Sequence, residues 1–168
     1  MKFSEIPRVT RSPNYMVNVE WRYLHEHINR DRTPAFNSNP DFQREHIWTP
    51  QQKIAYVEFK LKGGYGSNII QTNCPGWMTD FKGPYELVDG KQRLNAVLDF
   101  LNGKLKAFNH YYSEFEGRLP SDAEFIWCVN NLPTRKEVLT WYVELNTGGT
   151  PHTDKEINRV IELIKKEG

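Results

Sequence analysis

At 168 residues, with a net charge of +1 and 26% charged side chains, the chain has the size of one domain with its own core. Nothing in its overall charge draws it to nucleic acid or membrane, so any DNA contact has to come from a local patch. No apolar run approaches membrane-spanning length, no signal-peptide h-region opens the chain, and Cys74 and Cys128 stand far from CxxC spacing; a cytoplasmic protein with no membrane attachment, zinc site or disulfide framework is expected.

Hydrophobic residues are a modest 38%, but five Trp, eight Tyr and nine Phe can fill a core with few positions. Residues 1–16 are polar and broken by proline, and read as an extended arm. Val17, Trp21, Leu24 and Ile28 fall at helical spacing and predict a helix ending near Asn29, with His25 and His27 on its polar side. Residues 33–41, with Pro34 and Pro40, read as loop. Thr49 then marks a helix start, with Pro50 at the first helical position and Gln52 completing a capping box. Ile54, Val57 and Leu61 are its buried stripe. The glycine-rich run at 63–67 follows a helix and lacks the GxxxxGK[ST] pattern, so it reads as a helix terminator and not a phosphate loop.

Residues 68–72 predict a strand, and 73–84 a loop. Residues 85–88 predict a short strand, Asp89-Gly90 a turn, and a helix from Lys91 carries Leu94, Val97, Leu98 and Leu101 on one face, with Gly103 at its C-terminus. Residues 104–124 have no period; Phe108, Tyr111, Tyr112 and Phe115 suggest an irregular segment packed on the core. Residues 125–129 read as a buried strand. Thr134 and Glu137 form a second capping box, opening a helix with Val138, Trp141, Tyr142 and Leu145 on its apolar face. That helix breaks at residues 146–151. Thr153 and Glu156 cap a last helix, with Ile157, Val160, Ile161 and Ile164 inward. Short strands mixed irregularly with four or five helices predict a single α+β domain over residues 1–168.

Strand, tight turn and helix place Asp89, Lys91, Gln92 and Arg93 together. A helix N-terminus presents unpaired N–H groups and a partial positive charge, and so attracts anions. Lys91 and Arg93 add full charges there, and the Asp89 carboxylate is suited to holding a metal or taking a proton. The stretch reads as a nucleotide-phosphate site; the plainer alternative is a solvated helix start.

Three segments in order resemble one family. Phe42-Gln43-Arg44-Glu45-His46-Ile47-Trp48 is similar to its "fQRdyvW" segment. Val88-Asp89-Gly90-Lys91-Gln92-Arg93-Leu94 is similar to its "iDGqQRl" signature, and Leu145-Asn146-Thr147-Gly148-Gly149-Thr150-Pro151 to its "lNtgGtpL" segment. The family is the N-terminal domain of GmrSD-type restriction enzymes, within the ParB/sulfiredoxin superfamily, and the resemblance runs from about Phe36 to Ile164. Lys91 departs from the usual Gln and adds a charge that favours phosphate.

The resemblance implies a ParB/sulfiredoxin-like fold, a small mixed sheet surrounded by helices, that binds ATP or GTP with Mg²⁺. It implies phosphate contacts from Gly90, Lys91, Gln92 and Arg93, with Gln43 and Arg44 facing them and Asn146 and the Gly148-Gly149 turn closing the site. Asp89 is the implied catalytic carboxylate and Mg²⁺ ligand, and Glu45 its rival as base. Arg44 can instead simply pair with a carboxylate, and His46, His152 and Trp48 read as neighbours of the site and not as ligands. The family joins this domain to a nuclease, and no HNH-like His/Asn cluster occurs here. The first expectation is therefore direct use of the triphosphate, as in phage DNA-modification kinases that phosphorylate 5-hydroxymethyluracil in double-stranded DNA. The alternatives are an NTPase subunit sensing DNA in a restriction or defence complex, and a non-catalytic DNA-binding module. A DNA-contact surface would draw on Arg30, Arg32, Lys60, Lys62, Lys104 and Lys106, although solvated surface charge is the plainer reading of most of these.

Overall fold

Five strands form one mixed sheet in the computed structural model, which describes residues 1–8, 10, 15–29, 35–43, 48–147 and 154–167. In chain order they are β1 (Tyr15–Glu20), β2 (Phe36–Asn37), β3 (Ile69–Asn73), β4 (Tyr85–Asp89) and β5 (Glu124–Asn130), and across the sheet they run β1-β5-β3-β4-β2. β5 lies antiparallel to β1 and parallel to β3, while β4 lies antiparallel to β3 and parallel to β2. The helices are α1 (Leu24–Asn29), α2 (Pro50–Leu61), α3 (Lys91–Leu101), α4 (Arg135–Thr147) and α5 (Asp154–Lys166). The class is α+β. No helix of the described residues is long and apolar enough to cross a membrane.

Alternation along β4 separates two apolar layers. Tyr85 and Leu87 face a large core with Val57 of α2, Leu94, Val97 and Phe100 of α3, and Phe125, Trp127 and Val129 of β5. Val88 faces the other way, into a cluster with Phe42, Val138, Leu139, Trp141, Tyr142 and Val160. α2 and α3 therefore cover one face of the sheet, and α4 with α5 cover the other beside β4.

The predicted helix through Val17 is not formed. Residues 15–20 are strand β1, a 3-10 turn follows at Trp21–Tyr23, and the α-helix begins only at Leu24. Val17 and Val19 alternate onto the core while β1 pairs with β5 over its whole length. The break at Trp21 happens to keep Val17, Trp21, Leu24 and Ile28 on one side, which imitates a helical period. Tyr15 and Met16 accordingly leave the predicted arm and join the sheet. His27 is half-buried, its ring meeting that of Trp127 edge-on at 4.7 Å between centroids.

Both capping boxes are present. Gln52 N–H donates to Thr49 Oγ1 at 3.3 Å while Thr49 N–H donates to Gln52 Oε1 at 2.8 Å. Thr134 and Glu137 repeat the exchange at 3.0 and 3.3 Å. Two helix faces differ from expectation. On α4, Leu139 is buried where Leu145 was expected. On α2, Lys60 is buried, its ammonium donating to Gly64 O at 2.7 Å, so it closes the helix C-terminus and is removed from any DNA-contact surface. Arg30 and Arg32 lie outside the described residues. Phe108, Tyr111 and Phe115 stay half exposed, while Tyr112 packs on the core and Phe115 meets core Phe100 edge-on. Cys74 and Cys128 are free, and burial pushes both thiols up.

Glu86 is a buried carboxyl in the middle of β4. Loss of water raises its pKa; the Asp41 carboxylate raises it further, while Arg135 and a hydrogen bond from Asn37 oppose the rise. A carboxyl whose pKa is raised on folding favours the folded state below its unfolded pKa and forfeits that advantage as pH climbs through the folded value. Glu86→Gln should therefore flatten the loss of stability on going from about pH 4.3, the ordinary Glu value, toward neutrality. Urea denaturation of both proteins across that range checks it, and parallel pH profiles would refute it.

Candidate functional site at the start of α3

β4 delivers the chain to Asp89, Gly90 turns it, and α3 begins at Lys91. Gly90 has φ +105°, a left-handed conformation, and a β-carbon there would lie 2.6 Å from Ile70 Cδ1 and 3.3 Å from Ile69 O. Only glycine satisfies both demands. As N-cap it also brings no side chain to close the first turn. The N–H groups that begin an α-helix lack intrahelical partners, so an incoming anion meets the positive end of an eleven-residue helix.

Around this turn the side chains are held firmly. Arg93 Nη2 donates to Asp89 Oδ2 at 2.8 Å and to Ile69 O at 2.9 Å, while Arg93 Nε is buried without a hydrogen-bond partner. The Asp89 side chain remains 40% exposed and the Arg93 side chain 22%. Gln92 is only 8% exposed: its Oε1 accepts from the Trp48 backbone N–H at 3.2 Å, and its Nε2 has no partner. Lys91 Nζ meets Asn39 Oδ1, tying the start of α3 to the turn after β2.

The other expected site residues stand as follows. Gln43 Nε2 donates to Leu87 O at 3.0 Å and Val88 O at 2.7 Å, so its amide braces the end of β4 just before Asp89. Asn146 lies on α4, which packs against the opposite face of the sheet, and its Nδ2 donates to Tyr142 O at 2.7 Å within its own helix. Arg44, Glu45, His46, Gly148, Gly149 and His152 lie outside the described residues. The structure thus gathers Asp89, Gly90, Lys91, Gln92 and Arg93 at one point, with Gln43 bonded to the strand that leads there.

One neighbour escapes sequence reasoning. Gln71 of β3 is the register partner of Asp89, at the place where the β3–β4 ladder shifts between Gln71 and Thr72. Its Oε1 is buried without a partner. A strand was expected at this position, but only the strand order reveals that it lies opposite Asp89.

Three buried polar atoms without partners, on Gln71, Gln92 and Arg93, border one turn. Each costs free energy unless something pairs with it; Gln71 Oε1 is an acceptor, and Gln92 Nε2 and Arg93 Nε are donors. Among the described residues no three His, Cys, Asp or Glu side chains gather at one place. Mg²⁺ characteristically takes one or two carboxylates plus substrate phosphates, so Asp89 fits as its hold. No family model, curated protein or solved structure matches the chain.

Proposed function

We propose that the protein binds a nucleoside triphosphate, ATP or GTP, at the N-terminus of α3 and transfers its γ-phosphoryl group to a hydroxyl on a modified DNA base, 5-hydroxymethyluracil. The observation that carries the nucleotide reading is the uncapped, glycine-turned start of α3 beside the buried, unpartnered Nε2 of Gln92. The acceptor follows from the resemblance to the GmrSD N-terminal domain and its ParB/sulfiredoxin relatives.

In this reading the α3 N–H groups and Lys91 hold phosphate oxygens, and Gln92 Nε2 donates a further hydrogen bond. Arg93 adds charge and keeps Asp89 oriented through their ion pair. Asp89 would hold Mg²⁺ here, and the ion would supply positive charge against the phosphate chain. The acceptor oxygen attacks the γ-phosphorus, the bond to the β–γ bridging oxygen breaks, and the nucleoside diphosphate leaves. The hydroxyl proton passes to the Asp89 carboxylate. Such a transfer asks the protein mainly for positioning and charge, which is what this turn supplies.

The test is incubation with γ-labelled ATP, Mg²⁺ and DNA containing 5-hydroxymethyluracil. Label on the DNA is expected. Label released only as free phosphate would replace the kinase with a DNA-sensing NTPase, and neither product would leave a non-catalytic DNA-binding module.

Arg93→Ala should weaken nucleotide binding by roughly tenfold or more, the scale of a lost charge-assisted hydrogen bond, and slow turnover with it. Arg93→Lys should recover only part, because an ammonium cannot reproduce the guanidinium fork. Calorimetric titration with ATP, GTP and CTP measures this. Unchanged affinity in a folded Arg93→Ala protein would remove Arg93 from the site.

A further inference from the structure

The far end of α3 opens on a second feature. A cavity of about 410 Å³ lies between the C-terminal end of α2, Phe100 near the end of α3, and the segment 108–120. That volume lies in the range of small-ligand sites. Phe100 forms its floor, with Tyr112 and Phe115 packed edge-on to it at 5.5 and 5.9 Å between centroids. Phe108 and Phe115, at 36% and 40% exposure, also line the cavity. Phe100 lies ten positions beyond Gly90, or about 15 Å along the helix axis, so this cavity is separate from the Asp89 turn.

The segment is built to present these rings. Ala107 and His110 exchange backbone hydrogen bonds at 2.9 Å, and the two residues between them, Phe108 and Asn109, take positive φ of 50° and 65°. The Glu58 carboxylate of α2 fixes the turn by accepting from Phe108 N–H at 2.7 Å.

The charges beside the rings are of both signs. Lys62 Nζ sits 5.2 Å from the centre of the Phe108 ring, Lys106 Nζ sits 4.6 Å from that of Tyr111, and Arg118 lines the cavity. Three acids stand with them: Glu58 and Glu114 accept from the backbone N–H groups of Phe108 and Tyr111 at 2.7 and 2.6 Å, and Glu116 lines the cavity. Exposed aromatic faces interleaved with cations suit a strand whose bases stack while its phosphates meet lysine and arginine. A base inside a duplex cannot reach such a cavity, because its faces are already stacked.

From this placement we infer that the cavity receives an unpaired nucleobase of single-stranded DNA, with Phe108 and Phe115 as the stacking faces and Lys62, Lys106 and Arg118 as phosphate contacts. The inference does not depend on phosphoryl transfer, and it is tested without nucleotide.

Fluorescence anisotropy with a short fluorescein-labelled oligothymidylate should show binding at least about tenfold tighter than to an abasic strand of equal charge or to a duplex. Phe108→Ala and Phe115→Ala should each weaken it by about tenfold, the order expected for one lost stacking contact, and Phe108→Tyr should restore it. Both side chains are half exposed, and thermal melting establishes that each variant is folded. Equal binding of the abasic strand would reduce the site to charge alone and overturn the inference. So would equal binding of the duplex, or wild-type binding by both alanine variants.

Discussion

Asp89→Asn should lower kcat at least about a hundredfold, the lower end of what loss of a positioned acid or base costs. Nucleotide affinity measured without metal should stay the same or rise. The carboxylate sits at the strand end, immediately before the helix whose N-terminus is to hold the phosphates, and remains 40% exposed to an incoming acceptor. Asparagine preserves its size and its capacity to accept from Arg93, but not its charge or its basicity. A purely structural role for the Asp89–Arg93 pair predicts a different result. An (i, i+4) ion pair of this kind contributes roughly 0.3–0.5 kcal/mol, so its loss would shift Tm slightly and leave turnover alone. Glu45 is the competing base, and steady-state phosphoryl transfer by Asp89→Asn and Glu45→Gln in parallel separates them. Normal turnover in the first and none in the second would transfer the role to Glu45.

Gly90→Ala should destabilise the fold by about 2–5 kcal/mol, the sum of a left-handed conformation forced on a side chain, at about 1–2 kcal/mol, and an overpacked contact, at about 1–3 kcal/mol. The obstruction is Ile70 Cδ1, 2.6 Å from the added carbon, with Ile69 O at 3.3 Å behind it. Ile70 is fully buried and part of the main core, so it cannot swing away. Ile70→Val in the same chain removes the atom struck first and should recover part of the loss, leaving the conformational component. Urea denaturation of the single and double variants measures both. A Gly90→Ala protein as stable as wild type would mean that the turn is not built as described.

What was legible beforehand was whatever depends on neighbours along the chain. The Thr49–Gln52 and Thr134–Glu137 boxes mark helix starts because their hydrogen bonds span three residues. The gathering of Asp89 with Lys91, Gln92 and Arg93 was legible for the same reason, since strand, turn and helix N-terminus are consecutive. What depends on strand order was not legible. Nothing local to Gln71 announces that it faces Asp89, and nothing local to Glu86 announces that β4 is covered on both faces. β1 was misread because its valines and the residues after its bend happen to satisfy a helical period as well as an extended one. Lys60 was misread because a lysine on a capped helix is ordinarily solvated, and only the returning chain at Gly64 and Gly66 gives its ammonium somewhere else to go.

The partnership of β1 with β5 bears on how the protein is made. Tyr15 is paired with Val129, so β1 leaves a ribosome well before its partner β5 is made. At the usual ~5–20 residues per second of synthesis, that delay is on the order of 5–20 s. Through it, β3 lacks the parallel neighbour that β5 supplies, and its free edge is open to other nascent chains. Helices α2 and α3 and the β3–β4 pair can assemble meanwhile, since their contacts lie within residues 50–101. The candidate nucleotide turn belongs to that early unit. Translation arrested before residue 124 would leave it beside an unfinished sheet, with Tyr15 to Glu20 unpaired.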